Sequence, residues 1–174
     1  MKDKANQNRE KNKGAKSQNK KINLNKKCRD HLLKLNQDDI HTWLACYKQG
    51  ELLYKLKRYD KSIEFYDQAL RLNPNDLHAW HNKGENLYEL EKYDKAIECY
   101  DRALELDPDS IYSLTGKGYS FDKLKRYDEA IKCFKKALDT NLNDSVKKSL
   151  KKKIKLTEDC IRRNNIGTVK GGSS

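Results

Sequence analysis

The sequence predicts an all-α fold, a right-handed solenoid of antiparallel helix pairs, and three observations predict it. First, YDKAIECYDRALELDPDS at 93–110 repeats YDKSIEFYDQALRLNPND at 59–76 with eleven of eighteen residues identical, and YDEAIKCFKKALDTNLND follows at 127–144. A fixed period of 34 residues is the signature of stacked helical units. Second, apolar residues within each unit fall three and four apart, the helical period rather than the alternation of a strand. Third, each unit is broken twice, by charge in LYELEKYDKA and FDKLKRYDEA and by turn chemistry in LNPND and LDPDS. Each unit therefore holds two helices that fold back on one another.

The elements follow in order. Residues 1–21 carry no apolar run and many lysines, which reads as a disordered basic tail. CRDHLLKLNQDD at 28–39 lines up with CYDRALELDPDS at 99–110, which makes 22–38 a half-repeat whose helix caps the N-terminal end. Three repeats occupy about 39–75, 76–109 and 110–142. Asp39, Asp76, Ser110 and Asp144 each precede an apolar-periodic run and read as helix N-caps. Asp60, Asp94 and Asp128 sit in first turns, where a negative charge suits the helix dipole. Trp43 lies seven residues before its glycine and Trp80 only four, so the first helix of the first repeat should start about one turn early. Val146, Leu150, Ile154 and Ile161 form a narrow apolar stripe on a lysine-covered helix at 143–163, the solubilising cap that a solenoid needs. Residues 164–174 should be a flexible tail.

Laying the units over one another gives columns with distinct jobs. Gly50, Gly84 and Gly118 align, as do Ser62, Ala96 and Ala130, and these small residues should let paired backbones approach closely. Ala69, Ala103 and Ala137 should seat each second helix against the next unit. Tyr59, Tyr93 and Tyr127, with Tyr66, Tyr100 and Phe134, should fill the wedges between helices and bury the largest area per residue.

On these residues the chain resembles the tetratricopeptide repeat family, whose pattern runs W-x2-L-G-x2-Y…A-x3-F…A…P. The second unit carries it as Trp80, Lys83-Gly84, Leu87, Ala96, Tyr100, Ala103 and Pro108. The third has Leu114, Gly118, Phe121, Ala130, Phe134 and Ala137, with Leu142 where proline is usual, and the first has Gly50, Leu53, Ser62, Tyr66, Ala69 and Pro74. The resemblance implies a non-enzymatic adaptor or scaffold that binds a peptide or helix of a partner in a concave groove. Carried over position by position, it implies a groove lined by Tyr47, Glu51 and Tyr54, by His78, His81, Asn82, Glu85 and Tyr88, and by Tyr112, Thr115, Tyr119 and Asp122. Such a face suits a protein segment with apolar anchors and some basic residues. Family members that grip chaperone tails use a clamp of Lys, Asn and Arg. The corresponding places here hold Tyr47, Glu51, Asn82, Tyr112 and Gly116; only Asn82 matches, which disfavours a co-chaperone.

Charge frames the alternatives. The formal net charge of +12 is concentrated at the ends: residues 1–27 hold ten Lys/Arg against two acids, and 143–174 nine against three. Residues 28–142 are nearly neutral, so a nucleic-acid, ribosome or anionic-surface contact would belong to the basic tails. Neither cationic stretch, KNKGAKSQNKK or KKSLKKKIK, has an aromatic residue for base stacking. No apolar run is long enough to span a membrane. None of the five cysteines forms a CxxC pair, which argues against a disulfide framework and for a reduced, cytoplasmic setting. His81 and Glu85, four apart near His78, are where a metal or acid–base reading would rest. Without a recognisable catalytic set or phosphate loop, the expectation is a polar helix face with no catalytic residue, metal or cofactor. The oligomeric state is left open.

Overall fold

The computed structural model describes residues 37–140 and 142–169, with side chains through residue 163. The basic tail at 1–21, the half-repeat helix upstream of residue 37, Cys28, and residues 170–174 lie outside the described residues. Seven helices and no strands are found among those described: α1 (Gln37–Lys55), α2 (Tyr59–Leu72), α3 (Leu77–Glu89), α4 (Tyr93–Leu106), α5 (Ile111–Lys123), α6 (Tyr127–Leu138) and α7 (Asp144–Val169). The pairs α1/α2, α3/α4 and α5/α6 repeat the sequence period, and each helix packs on its neighbours in chain order. This is the expected all-α solenoid.

The turn inside each pair is one device used three times. Lys57, Glu91 and Lys125 adopt positive φ values of 56°, 58° and 61°. The residue after each sends its N–H back five positions, as Arg58 does to the Leu53 carbonyl at 2.9 Å, and Lys57 donates to the Tyr54 carbonyl at 2.8 Å. Both bonds satisfy carbonyls that the helix end would leave unpaired, and the left-handed residue reverses the chain.

The core is segmental, as a low apolar content requires. One cluster joins Tyr66, Leu70 and Ala79, a second Leu87, Ala96, Cys99 and Tyr100, and the largest lies at the C-terminal end. There Phe134, Ala137, Leu150 and Ile154 meet, and Leu142, standing where proline is usual, is also buried. The α7 stripe takes in Thr157 as well, 1% exposed.

Some expected boundaries and caps are corrected. Helix α1 begins at Gln37, inside the stretch assigned to the half-repeat, and is six residues longer than α3, 19 against 13. Asp39 is thus within its first turn rather than its N-cap. Ser110 holds the N-cap position but its hydroxyl donates to Ser113 Oγ at 3.2 Å instead of receiving a backbone N–H. Before α7 the capping side chain is Asn143, whose Oδ1 accepts from Val146 N at 2.9 Å; Asp144 is already helical. Asp76 is the cap that meets its expectation, with Oδ1 accepting from the His78 and Ala79 amides at 3.0 and 3.1 Å. The terminal helix continues to Val169, beyond the expected end at 163.

The glycine column has a different cause from the one expected. A Cβ on Gly50, Gly84 or Gly118 would meet the ring of Tyr66, Tyr100 or Phe134 at 2.9, 2.7 and 2.5 Å. An aromatic ring from the second helix, rather than its backbone, fills the space a side chain would need.

Candidate functional site

The first helices of successive units are neighbours, and side chains bridge them. Asn82 Nδ2 on α3 donates to the Tyr47 hydroxyl on α1 at 3.1 Å and to the Tyr66 hydroxyl on α2 at 3.2 Å. The His81 ring on α3 lies 5.7 Å from that of Tyr100 and 6.0 Å from that of Tyr112 on α5. On the far side, Asp122 of α5 accepts from Lys153 Nζ at 2.8 Å and from Thr157 Oγ1 at 3.2 Å on α7. Helices α1, α3, α5 and α7 therefore share one side of the stack.

Within that side lies a cavity of about 260 Å³ lined by Tyr54, Glu85, Tyr88, Glu89, Tyr100, Gly116 and Tyr119. It touches three successive first helices, and Tyr100, 1% exposed and from α4, forms its floor. Each flanking tyrosine is braced from behind by another ring: Tyr54 on Tyr59, Tyr88 on Tyr93 and Tyr119 on Phe134, with centroids 5.7, 5.3 and 5.2 Å apart. Such bracing fixes rotamers before any partner arrives, so less entropy is lost on contact. Burial raises the phenol pKa of Tyr54 and Tyr88 above its ordinary value, and nearby carboxylates, Glu85 and Glu89 at Tyr54 and Glu89 at Tyr88, add to the rise. These hydroxyls therefore stay neutral and available to donate or accept a hydrogen bond.

The twelve residues expected to line the groove divide into groups. Tyr54, Glu85, Tyr88 and Tyr119 meet at the cavity. Tyr47, His81 and Asn82 form the bridges between units described above. Tyr112, 74% exposed, and His78 lie open to solvent. Glu51 pairs with Lys48 at 2.9 Å, and the Thr115 hydroxyl donates to carbonyls of its own helix, Ile111 at 2.8 Å and Tyr112 at 3.0 Å. Asp122, expected to offer its charge to a ligand, is engaged by α7, an element whose packing was not foreseeable from the repeat alone.

Three lining residues were not on the expected list. Tyr100 had been placed as wedge filler, which it also is. Glu89 and Gly116 stand out only when columns are compared for differences: Glu89 replaces the lysines Lys55 and Lys123, and Gly116 replaces Asn82. Of the histidine set, His81 Nε2 lies 3.5 Å from Glu85 Oε1, an i, i+4 contact. Among the described residues no three His, Cys, Asp or Glu side chains gather as a metal site would need.

Stacked helix pairs with a cavity across successive first helices define a helical-repeat protein with a concavity on one side. Sequence models of the tetratricopeptide repeat match residues 43–76, 78–110 and 111–144, more than half of the chain, and the chain belongs to that family. No curated protein sequence gives a significant match. Among solved structures, the Arabidopsis OM64 TPR domain is 24% identical with a TM-score of 0.60, covering 72% of this chain and 98% of its own. The Sgt2 TPR domain from Aspergillus fumigatus is 20% identical with a TM-score of 0.64, covering 76% and 85%. The second TPR domain of human RPAP3, solved in complex with the HSP70 peptide SGPTIEEVD, is 19% identical with a TM-score of 0.62, covering 67% and 98%. At these identities the likeness establishes the fold.

Proposed function

We propose that the chain is a non-enzymatic adaptor that holds a segment of a partner protein against the shared face of α1, α3 and α5. The observation that carries this reading is the cavity walled by braced tyrosines from three successive units. Tyrosine gives rigid, amphipathic contact area and is enriched among interface residues that dominate binding. Family membership adds support, as does the peptide held by the RPAP3 domain. The segment carries apolar anchors and some Lys or Arg, because Glu85 and Glu89 set a negative field at the cavity. An acidic chaperone tail fits poorly: the one matching clamp residue, Asn82, has its amide committed to two tyrosine hydroxyls. The described cysteines, Cys46, Cys99, Cys133 and Cys160, are free thiols, in keeping with a cytoplasmic setting. Among the described residues no helix is long and apolar enough to cross a membrane.

The test is capture of a partner from lysate of the source organism, followed by calorimetry on the purified pair. Tyr54→Ala, Tyr88→Ala and Tyr119→Ala should each cost about 2 kcal/mol of binding, whereas Lys95→Ala on the outer face should cost little. Affinity that survives all three changes but collapses with added salt would move the function to the basic segments instead.

A further inference from the structure

We propose that the cavity between the second and third repeats is a receptor for one lysine side chain of the bound segment, its ammonium held by Tyr54, Tyr88, Tyr100 and Tyr119 together with Glu85 and Glu89. The proposal rests on the adaptor reading and names what its central pocket selects.

Size comes first. A cavity of about 260 Å³ is smaller than sites for drug-sized ligands, which start near roughly 300 Å³. It suits a single side chain. Chemistry decides which one. Aromatic faces attract a cation through their quadrupole, and more strongly where water is excluded. Two carboxylates at the same wall favour a cation, so a neutral leucine would leave their charge unmatched by any basic residue of the cavity lining and an acidic residue would be repelled. A lysine has the apolar stem to pass between tyrosines and a compact charge at its tip.

The Tyr100 hydroxyl favours the same occupant. One repeat earlier, Asn82 stands in the column of Gly116 and gives its amide hydrogens to Tyr47 and Tyr66. At Gly116 no side chain exists, and a Cβ there would come within 2.6 Å of the Tyr100 ring and 2.9 Å of its hydroxyl, so the ring already occupies that place. The repeat has thus given up the built-in donor to a tyrosine hydroxyl and seated the Tyr100 ring against bare backbone at the cavity. An incoming ammonium supplies three donors at that place.

The opposing charges are accounted for. His81 Nε2 lies 3.5 Å from Glu85, and its ring packs on Tyr100, so it buttresses one carboxylate from the side. Lys153 stands 5.5 Å from the centroid of the Tyr119 ring, but its charge is matched by Asp122 at 2.8 Å. Glu89 has no basic residue among the side chains lining the cavity.

The experiment uses the full chain and two small probes, N-acetyl-lysine methylamide and its neutral isostere N-acetyl-norleucine methylamide, titrated by amide-resolved NMR. The lysine probe should saturably shift the amides of Glu85, Gly116 and Tyr119, and the norleucine probe should bind at least about fivefold more weakly. The double variant Glu85→Gln/Glu89→Gln should weaken the lysine probe by at least about fivefold and leave the norleucine probe unchanged. Gly116→Asn, whose side chain would displace the Tyr100 ring at the cavity, should abolish the response; if that variant fails to fold, the double variant decides alone. Equal binding of the two probes, lysine shifts located away from the cavity, or indifference to the double variant would each overturn the proposal. Because no natural partner is needed, these outcomes are independent of whether an adaptor partner is captured.

Discussion

Tyr66 and Tyr100 occupy the same column, are each 1% exposed, and lie against the same kind of glycine, yet their hydroxyls have different surroundings. That of Tyr66 receives a hydrogen bond from Asn82 at 3.2 Å, whereas that of Tyr100 lies against Gly116, which has no side chain to donate one. A typical intramolecular hydrogen bond contributes about 0.5–1.5 kcal/mol net. Tyr66→Phe should therefore lower the unfolding free energy by about that amount, and Tyr100→Phe by clearly less. Denaturant unfolding of the two variants checks this, and the reverse order would show that the Tyr100 hydroxyl is the better satisfied of the pair. Neither difference is visible in the tyrosine itself; it depends on the residue sixteen positions later in each case.

At the scale of the element, each helix pair turns on a left-handed residue that is not glycine: Lys57, Glu91 and Lys125. A side chain in this region costs roughly 1 kcal/mol, because Cβ crowds the following carbonyl oxygen. The backbone bonds around it hold it in place, as Lys92 N does by donating to the Leu87 carbonyl at 2.9 Å. Glu91→Gly should relieve that strain at some cost in unfolded-state entropy, for a net gain of about 0.5 kcal/mol. Thermal unfolding of the single variant reads the result, and a lower melting temperature would mean that the Glu91 side chain contributes contacts exceeding the strain. The pairs are also stitched to one another periodically: Lys83 reaches Asp67 and Lys117 reaches Asp101, both at 2.5 Å and 34 residues apart in sequence. Half-exposed pairs of this kind add little stability each. Their repetition helps set the register of one pair on the next.

Across the whole molecule, buried phenols make folding sensitive to alkali. Burial raises the pKa of Tyr66 and of Tyr100 well above the ordinary 10.0, and burial pushes the Cys99 thiol up to about 11. In the unfolded chain these groups ionise near their ordinary values, so above about pH 10 the unfolded state releases protons that the folded state keeps. The contribution is fully present below the unfolded pKa and is lost as pH rises toward the folded one. Unfolding free energy should therefore begin to fall above about pH 9, where the Cys99 thiol ionises in the unfolded chain, and fall further as pH rises above about 10, by up to roughly 1.4 kcal/mol per pH unit for each buried tyrosine. Denaturant titrations over that range check it. Tyr100→Phe should flatten the slope, and an unchanged slope would mean that other groups dominate.

The period, the helical spacing and the turn residues determined the fold class from the sequence alone, because a solenoid needs only contacts between neighbouring units and each unit writes those contacts in its own letters. The braced tyrosines Tyr54 and Tyr88 were legible for the same reason, since they share a column; Tyr119 stands in the column of Glu51 and Glu85 and was legible only as an outward position of its helix. What differs between units was decided by the tertiary structure. Asp122 reads as a free acid in its own helix, yet α7 folds over to supply Lys153 and Thr157. Thr115 reads as a groove residue, yet its hydroxyl turns to carbonyls of its own helix. The glycines read as spacers between backbones, and a ring from the partner helix fills the space. At the cavity, Gly116 stands where Asn82 stands one repeat before. A missing side chain acquires meaning only when folding seats the Tyr100 ring against it and brings two carboxylates to the same cavity.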